Sequence, residues 1–232
     1  MFNSKYSKAL TVILIIAIIA IVGLLVYVGI DWYKVYTANA GVDDGLDQFD
    51  GYVNNVIANT QTDTQTNTEE NTTIIDPNID PNSTVQNEMN TTGGTSTNRP
   101  TYKGFYMAGK IEIPKINLKY PVLEEVTPKS IEVSVAVLYG PGINKVGNTV
   151  IIGHNYRNGT FFSNNKKLSV GDKIYLTDLE GTKITYTIYK KYTTGTDDFD
   201  YAVRDTNGKR EISLSTCTDD SKERLIIWAK ED

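Results

Sequence analysis

The chain has 232 residues and a formal net charge of −5, enough for one or two domains of ordinary size. Its acidity sits at the front: residues 1–100 carry a net charge of −7 and residues 101–232 one of +2, so no broad basic face is offered to nucleic acid and that partner is set aside. One cysteine and one histidine in the whole chain exclude an intramolecular disulfide and any zinc site built from several such ligands.

Residues 1–8 are a short polar lead. Ala9 to Ile30 then run 22 residues without a charge, a helix of about 33 Å at ~1.5 Å per residue, which matches a hydrocarbon core of ~30 Å. Lys5 and Lys8 precede the run, whereas Asp31, Asp43, Asp44 and Asp47 follow it with only Lys34. The positive-inside bias therefore expects residues 1–8 in the cytoplasm, 9–30 as a single-pass signal-anchor helix in the lipid bilayer, and the rest outside the cell. A cleaved signal peptide is the alternative, since Ala38-Asn39-Ala40 has the form of a cleavage site. The run is longer than the usual h-region of roughly 7 to 15 residues, however, and that site lies well beyond its end, which favours a retained anchor.

Residues 31–100 read as an extracellular flexible linker. Over 41–100 Thr, Asn, Asp and Gln dominate with scattered apolar residues, and such a stretch buries too little apolar surface to offset its ordering entropy. A coil of about 60 residues has an r.m.s. reach of ~40 to 45 Å, enough to hold a domain away from the lipid. Some helical periodicity is present over 42–57, and Asp76-Pro77 and Asp80-Pro81 read as turns.

From Thr101 the texture changes to short apolar and polar alternations punctuated by Gly, Asn and Asp, the pattern of strands joined by turns. Strands are expected at 109–113, 118–122, 148–153, 173–178, 183–192, 211–216 and 224–229, with a hairpin turn at 179–182. Thr127 followed by Pro128 predicts an N-capped helix over 128–136, and 161–167 a further helical turn. Seven or eight short strands make residues 101–232 a mainly β domain, a closed barrel or a sandwich.

In the strand 211–217, alternation puts Ile212 and Leu214 on one face and Ser213, Ser215 and Cys217 on the other. A lone cysteine is most often a small buried hydrophobe, but this one travels with the polar set. An unpaired thiol on an extracellular domain is also an oxidation liability, which favours a reactive role. A thiolate nucleophile needs a neighbouring base or cation at neutral pH, and His154 is the sole imidazole. It follows the apolar strand Thr149 to Gly153 at a strand-to-loop edge, where active-site groups are commonly presented. The chain returns after Cys217 through a six-residue loop, 218–223, into the apolar strand that opens with Arg224. A hairpin brings Arg224 back beside Cys217, where a guanidinium can hold a carbonyl or an oxyanion. The structural alternative is a surface cation paired with Asp219, Asp220 or Glu223.

Over about residues 105–232 the chain resembles the sortases, membrane-anchored transpeptidases that join proteins to the Gram-positive cell wall. The family's Thr-Leu-x-Thr-Cys signature stands here as Ser213-Leu214-Ser215-Thr216-Cys217, its histidine motif as Gly153-His154-Asn155, and its arginine as Arg224. The stretch Gly109 to Ile116, with Pro121-Val122, looks like its opening strands. Some features look like class B, others like the remaining classes. The resemblance implies a closed sortase-type β-barrel of seven to eight strands with short helices, preceded by one transmembrane helix and a disordered linker. It implies a cysteine transpeptidase with Cys217, His154 and Arg224 catalytic, and Asn155, Ser215 and Thr216 are the expected substrate contacts beside them. Cys217 would attack the carbonyl after the Thr of a C-terminal sorting signal to give a thioacyl enzyme. His154 would move the proton to the leaving amine and from the incoming one. The expected partners are surface proteins that bear the sorting signal and an amine of a peptidoglycan precursor or a protein lysine. No cofactor and no metal is expected, and Glu112, Glu124 and Glu125 read as solvated carboxylates.

Two other readings compete. A papain-like peptidase places its cysteine before its histidine and at a helix start, the reverse of the order here. A surface adhesin with an inert cysteine does not require Cys217 and His154 to meet.

Overall fold

The computed structural model of the chain describes residues 4–65 and 99–232. The expected turns at Asp76-Pro77 and Asp80-Pro81, and the linker from 66 to 98, lie outside the described residues. Helix α1 spans Ser4–Asn39. Its apolar side chains from Leu10 to Ile30 are exposed, and it is the one helix among the described residues long and apolar enough to cross a membrane.

After a turn at Gly41, whose φ of +80° suits glycine, helix α2 runs Val42–Gln65. Val42, Leu46, Phe49 and Val53 recur on one stripe and are all buried. Asp43 and Asp44 in its first turn complement the helix dipole. The flexible linker expected over 31–100 thus takes in a helix that packs on the folded domain. The periodicity at 42–57 is genuine, and the apolar surface it needs is supplied by the barrel rather than by its own neighbours in sequence. Two glycines mark how close the docking is. A Cβ at Gly45 would stand 2.4 Å from the Tyr102 ring, and one at Gly181 would stand 2.8 Å from Val53 and Ile57.

The remaining elements are β1 (Thr101–Tyr102), β2 (Phe105–Ile113), β3 (Leu118–Leu123), α3 (Ser130–Val133), β4 (Val135–Tyr139), β5 (Gly147–Ile152), β6 (Lys173–Asp178), β7 (Lys183–Gly195), β8 (Arg210–Cys217) and β9 (Glu223–Glu231). Strands follow the order β1-β2-β3-β4-β5-β8-β9-β7-β6, and β6 pairs back onto β2. The ring from β2 to β6 is therefore a closed eight-stranded barrel, which decides against the sandwich, with β1 as a short addition to β2. Closure leaves the ring without a free edge. Pairs β3–β4 and β5–β8 are parallel and the others antiparallel.

Six of the seven expected strands recur with one to four residues added or shifted, and β6 has the expected bounds. The hairpin turn is present too, with Asp178 accepting from the amides of Glu180 and Thr182. The helix expected over 128–136 stops at Val133. It also begins only at Ser130, with Lys129 as its N-cap and no side-chain cap; the Thr127 hydroxyl accepts from the Ser130 amide at 2.9 Å in the turn that leads into it. The β-branched and apolar residues that follow are taken by β4, which the sequence reading missed, because Val135 and Ala136 pair with β3 while Ala136, Val137 and Tyr139 pair with β5. Within 161–167 the helical turn is a 3-10 turn at Asn165–Lys167.

Candidate active site

Three adjacent strands build the site at one end of the barrel. On β8, Ser213, Ser215 and Cys217 share a face, and the register sets them opposite Trp228, Ile226 and Arg224 of β9. On the other side, Val150 and Ile152 of β5 lie beside Ser213 and Ser215. The parallel ladder continues one step past β5, where the Gly153 amide donates to the Ser215 carbonyl at 3.3 Å. His154 then falls in line with Val150 and Ile152 by strand parity. By register and parity, Arg224, Cys217 and His154 therefore stand at or just beyond the ends of three neighbouring strands, with Cys217 in the middle.

Sequence dictates this locally. Gly153 has no room for a side chain, since a Cβ would meet Val135 at 2.7 Å and Phe162 at 3.0 Å. Thr216, on the opposite face of β8, donates its hydroxyl to the Gly153 carbonyl at 2.7 Å. Asn155 donates to the Cys217 carbonyl at 3.0 Å and to Asp219 at 2.9 Å. Two further bonds clamp the loop after β5 to the β8–β9 loop, Lys166 to Asp219 at 2.6 Å and Arg157 to Ser221 at 2.9 Å. Each holds the histidine segment against the cysteine turn.

Cys217 and His154 are both half-buried. Burial lowers the pKa of His154 below its ordinary value, partly opposed by the Glu132 carboxylate of α3. A neutral imidazole is thus favoured, ready to accept a proton. The Lys166 ammonium and then the Asn155 amide hold the Asp219 carboxyl below the usual range.

Arg224 is half-buried, donates Nε to the Thr196 carbonyl at 3.3 Å and lies 6.0 Å from the Phe199 ring. Among the described residues it makes no ion pair. Two of the three carboxylates expected to occupy it are engaged elsewhere: Asp219 with Lys166, and Asp220 with the Thr218 hydroxyl and the Lys222 amide. Its guanidinium keeps donors free for a ligand.

Of the expected substrate contacts, Asn155 is spent on the ties just described, Thr216 is 3% exposed and Ser215 is 1% exposed. Ser215 is covered by Tyr201, whose hydroxyl lies 3.4 Å from its own. The sequence reading missed this cover, the stretch 196–209 between β7 and β8. Asn148 holds it, donating to the carbonyls of Tyr201 and Ala202 at 3.0 Å each. Arg204 bonds Glu211 and Asn148 and stacks over Trp228 at 4.5 Å. No periodic pattern announces such a segment. Glu112 and Glu124 pair with Lys183 and Arg99.

The arrangement can do acyl-transfer chemistry: a thiol, a base on one flank and a cation on the other. The family model of the Sortase domain matches residues 111–232, just over half of the chain. Sortase A of Bacillus anthracis is 33% identical over 125 residues, 51% of this chain and 57% of that protein. The chain thus spans little more than half the length of the curated relative it matches. Among solved structures, a lid mutant of sortase A from Corynebacterium diphtheriae superposes with a TM-score of 0.51 and 25% identity, covering 55% of this chain and 71% of that one. A sortase D5 transpeptidase from Clostridium perfringens superposes with a TM-score of 0.50 and 28% identity, covering 55% and 79%.

Proposed function

Because the chain belongs to the sortase family, we propose that it is a membrane-anchored cysteine transpeptidase. It cleaves a C-terminal sorting signal after Thr and joins the protein to a cell-wall amine. The observation that carries this reading is the place of Cys217 between His154 and Arg224 at the ends of neighbouring strands.

Neutral His154 takes the thiol proton of Cys217, and the thiolate attacks the carbonyl that follows the Thr of the signal. The tetrahedral oxyanion is held by Arg224, a contribution of about 3 kcal/mol for a donor of this kind. Collapse breaks the C–N bond, and imidazolium gives its proton to the departing amine. The thioacyl enzyme then meets the acceptor amine, whose proton returns to His154 as the new amide forms and the thiolate leaves. Acceptors are an amine of a peptidoglycan precursor or a protein lysine. Asn155, Ser215 and Thr216 contribute by fixing the histidine and cysteine strands rather than by broad contact with substrate.

Helix α1 anchors the chain, with residues 1–8 in the cytoplasm and the barrel outside the cell; the exposed Trp32, Tyr33 and Tyr36 beyond the apolar run suit the outer interface. The catalytic unit includes α2 with residues 101–232. Transfer assays on the full chain in detergent micelles, with a panel of sorting-motif peptides and an amine, test the reading. Transfer is expected for at least one motif, and Arg224→Lys is expected to reduce it by about a hundredfold, the scale of losing one oxyanion donor. Full transfer by Arg224→Lys would remove the arginine from the mechanism.

A further inference from the structure

His154 is tied on one side to the cysteine strand, through Gly153 and Asn155. Its other side leads elsewhere. The imidazole packs on Tyr156 with centroids 4.9 Å apart, Tyr156 on Phe161 at 5.8 Å, and Phe161 on Tyr120 at 5.3 Å. The loop folds back on itself, because the Phe162 amide donates to the His154 carbonyl at 3.1 Å. This return requires Phe161 to sit at a φ of +48°, a left-handed conformation that a bulky side chain keeps only under constraint.

Tyr120 packs its ring on Phe161. It is 6% exposed and lies in the middle of β3, opposite Ile111 of β2. Its hydroxyl donates to Asn39 Oδ1 at 2.5 Å. Asn39 is the last residue of α1, three positions before α2 begins. Around this junction lies a cavity of about 260 Å³, lined by Asn39, Val42, Asp43, Tyr120, Phe161 and Asn164 among others. Across this cavity the Tyr120 side chain spans the gap, its ring on Phe161 of the histidine loop and its hydroxyl on Asn39 of the elbow between the helices.

We propose that Tyr120 is a positioning residue for His154, and that its bond to Asn39 makes the α1–α2 elbow part of the support of the active site. This rests on the reading of His154 as the catalytic base. A chain whose elbow has moved away keeps its nucleophile but loses the fixed orientation of the imidazole, so anchor and catalysis are coupled through one side chain.

The test uses the full chain in detergent micelles with the variants Tyr120→Phe, Asn39→Ala and Asn39→Asp. Tyr120→Phe keeps the ring and is expected to lower kcat by about tenfold with KM for the peptide unchanged, the scale of one well-placed hydrogen bond. Hydrogen exchange at the Phe162 amide is expected to quicken with it. Asn39→Ala removes the same bond and moves kcat and exchange in the same direction by a similar amount, and Asn39→Asp, which keeps an acceptor, restores both. Wild-type kcat and wild-type Phe162 exchange in Tyr120→Phe would overturn the proposal, and Asn39→Asp behaving as Asn39→Ala would remove the elbow from it. A His154→Ala chain with full transfer would instead overturn the underlying assignment, while Phe162 exchange in Tyr120→Phe would still report whether the link exists.

Discussion

Two segments lie over the same barrel and are held by opposite means. Helix α2 covers β1, β2 and β3 with Leu46, Phe49 and Val53, to which the Asp50–Lys110 pair at 2.5 Å is added. The stretch 196–209 covers β5, β8 and β9 through a polar network centred on Asn148 and Arg204, with a small apolar cluster of Val150, Tyr201, Ala202 and Ile226 beneath it. Apolar burial is non-directional and adds stability with tolerance of small shifts. Hydrogen bonds to buried partners are directional, so they fix the position of what they hold. The polar cover is the one beside Cys217, where position matters most.

The sharpest break of that contrast lies in the site itself. Cys217→Ala and His154→Ala are each expected to lower transfer by at least about a thousandfold while leaving the melting temperature close to that of the parent, as for other residues acting as one unit. Next in size is Phe49→Ala, which is fully buried under α2. It should cost about 3 to 5 kcal/mol in denaturant unfolding, as for other large core truncations, with kcat unchanged in the molecules that stay folded. Asn148→Ala should do the reverse. It leaves two carbonyls, the Ser213 hydroxyl and an Arg204 nitrogen short of a partner; its stability cost is about 1 to 3 kcal/mol, and its larger effect is a raised KM for the sorting peptide. If Phe49→Ala lowers kcat and Asn148→Ala does not, the two covers have been assigned the wrong roles.

The smallest effect is electrostatic. With a single histidine in the chain, its NMR titration reports one group. The midpoint is expected below the ordinary value of about 6.5, because burial disfavours the charged ring. Glu132→Gln, which removes the one opposing charge, should lower it further. The sign for stability follows: the unfolded chain binds the proton first, so this contribution is intact above pH ~6.5 and is lost as pH falls through the window down to the lowered value. A Glu132→Gln midpoint above that of the parent would contradict the assignment of charges around the ring.

Much of this was legible before any coordinates. The alternation in 211–217 placed Cys217 on the face it occupies, and the unique histidine and the strand opened by Arg224 followed from position alone. Period two survives because one face of β8 packs inward with Ile212 and Leu214. Strand β4 was hidden, since Thr127 and Pro128 read as the capped start of a longer helix. Docking of α2 was half visible: its stripe is periodic, but Gly45 against Tyr102 and Gly181 against Val53 and Ile57 are contacts between residues far apart in sequence. Tyr120 and Phe161 meet for the same reason, from β3 and the loop after His154. The cover at 196–209 has no period to read, because polar networks are specified by partners rather than by spacing.

Intact mass spectrometry of the full chain, incubated with a panel of sorting-motif peptides first without and then with an amine, tests the central claim most directly. The account predicts a thioacyl adduct that maps to Cys217, accumulates without amine and is discharged as an amine-linked product when amine is added. A chain that shows no adduct with any peptide, and whose Cys217 alkylates no faster than an ordinary free thiol, would contradict it.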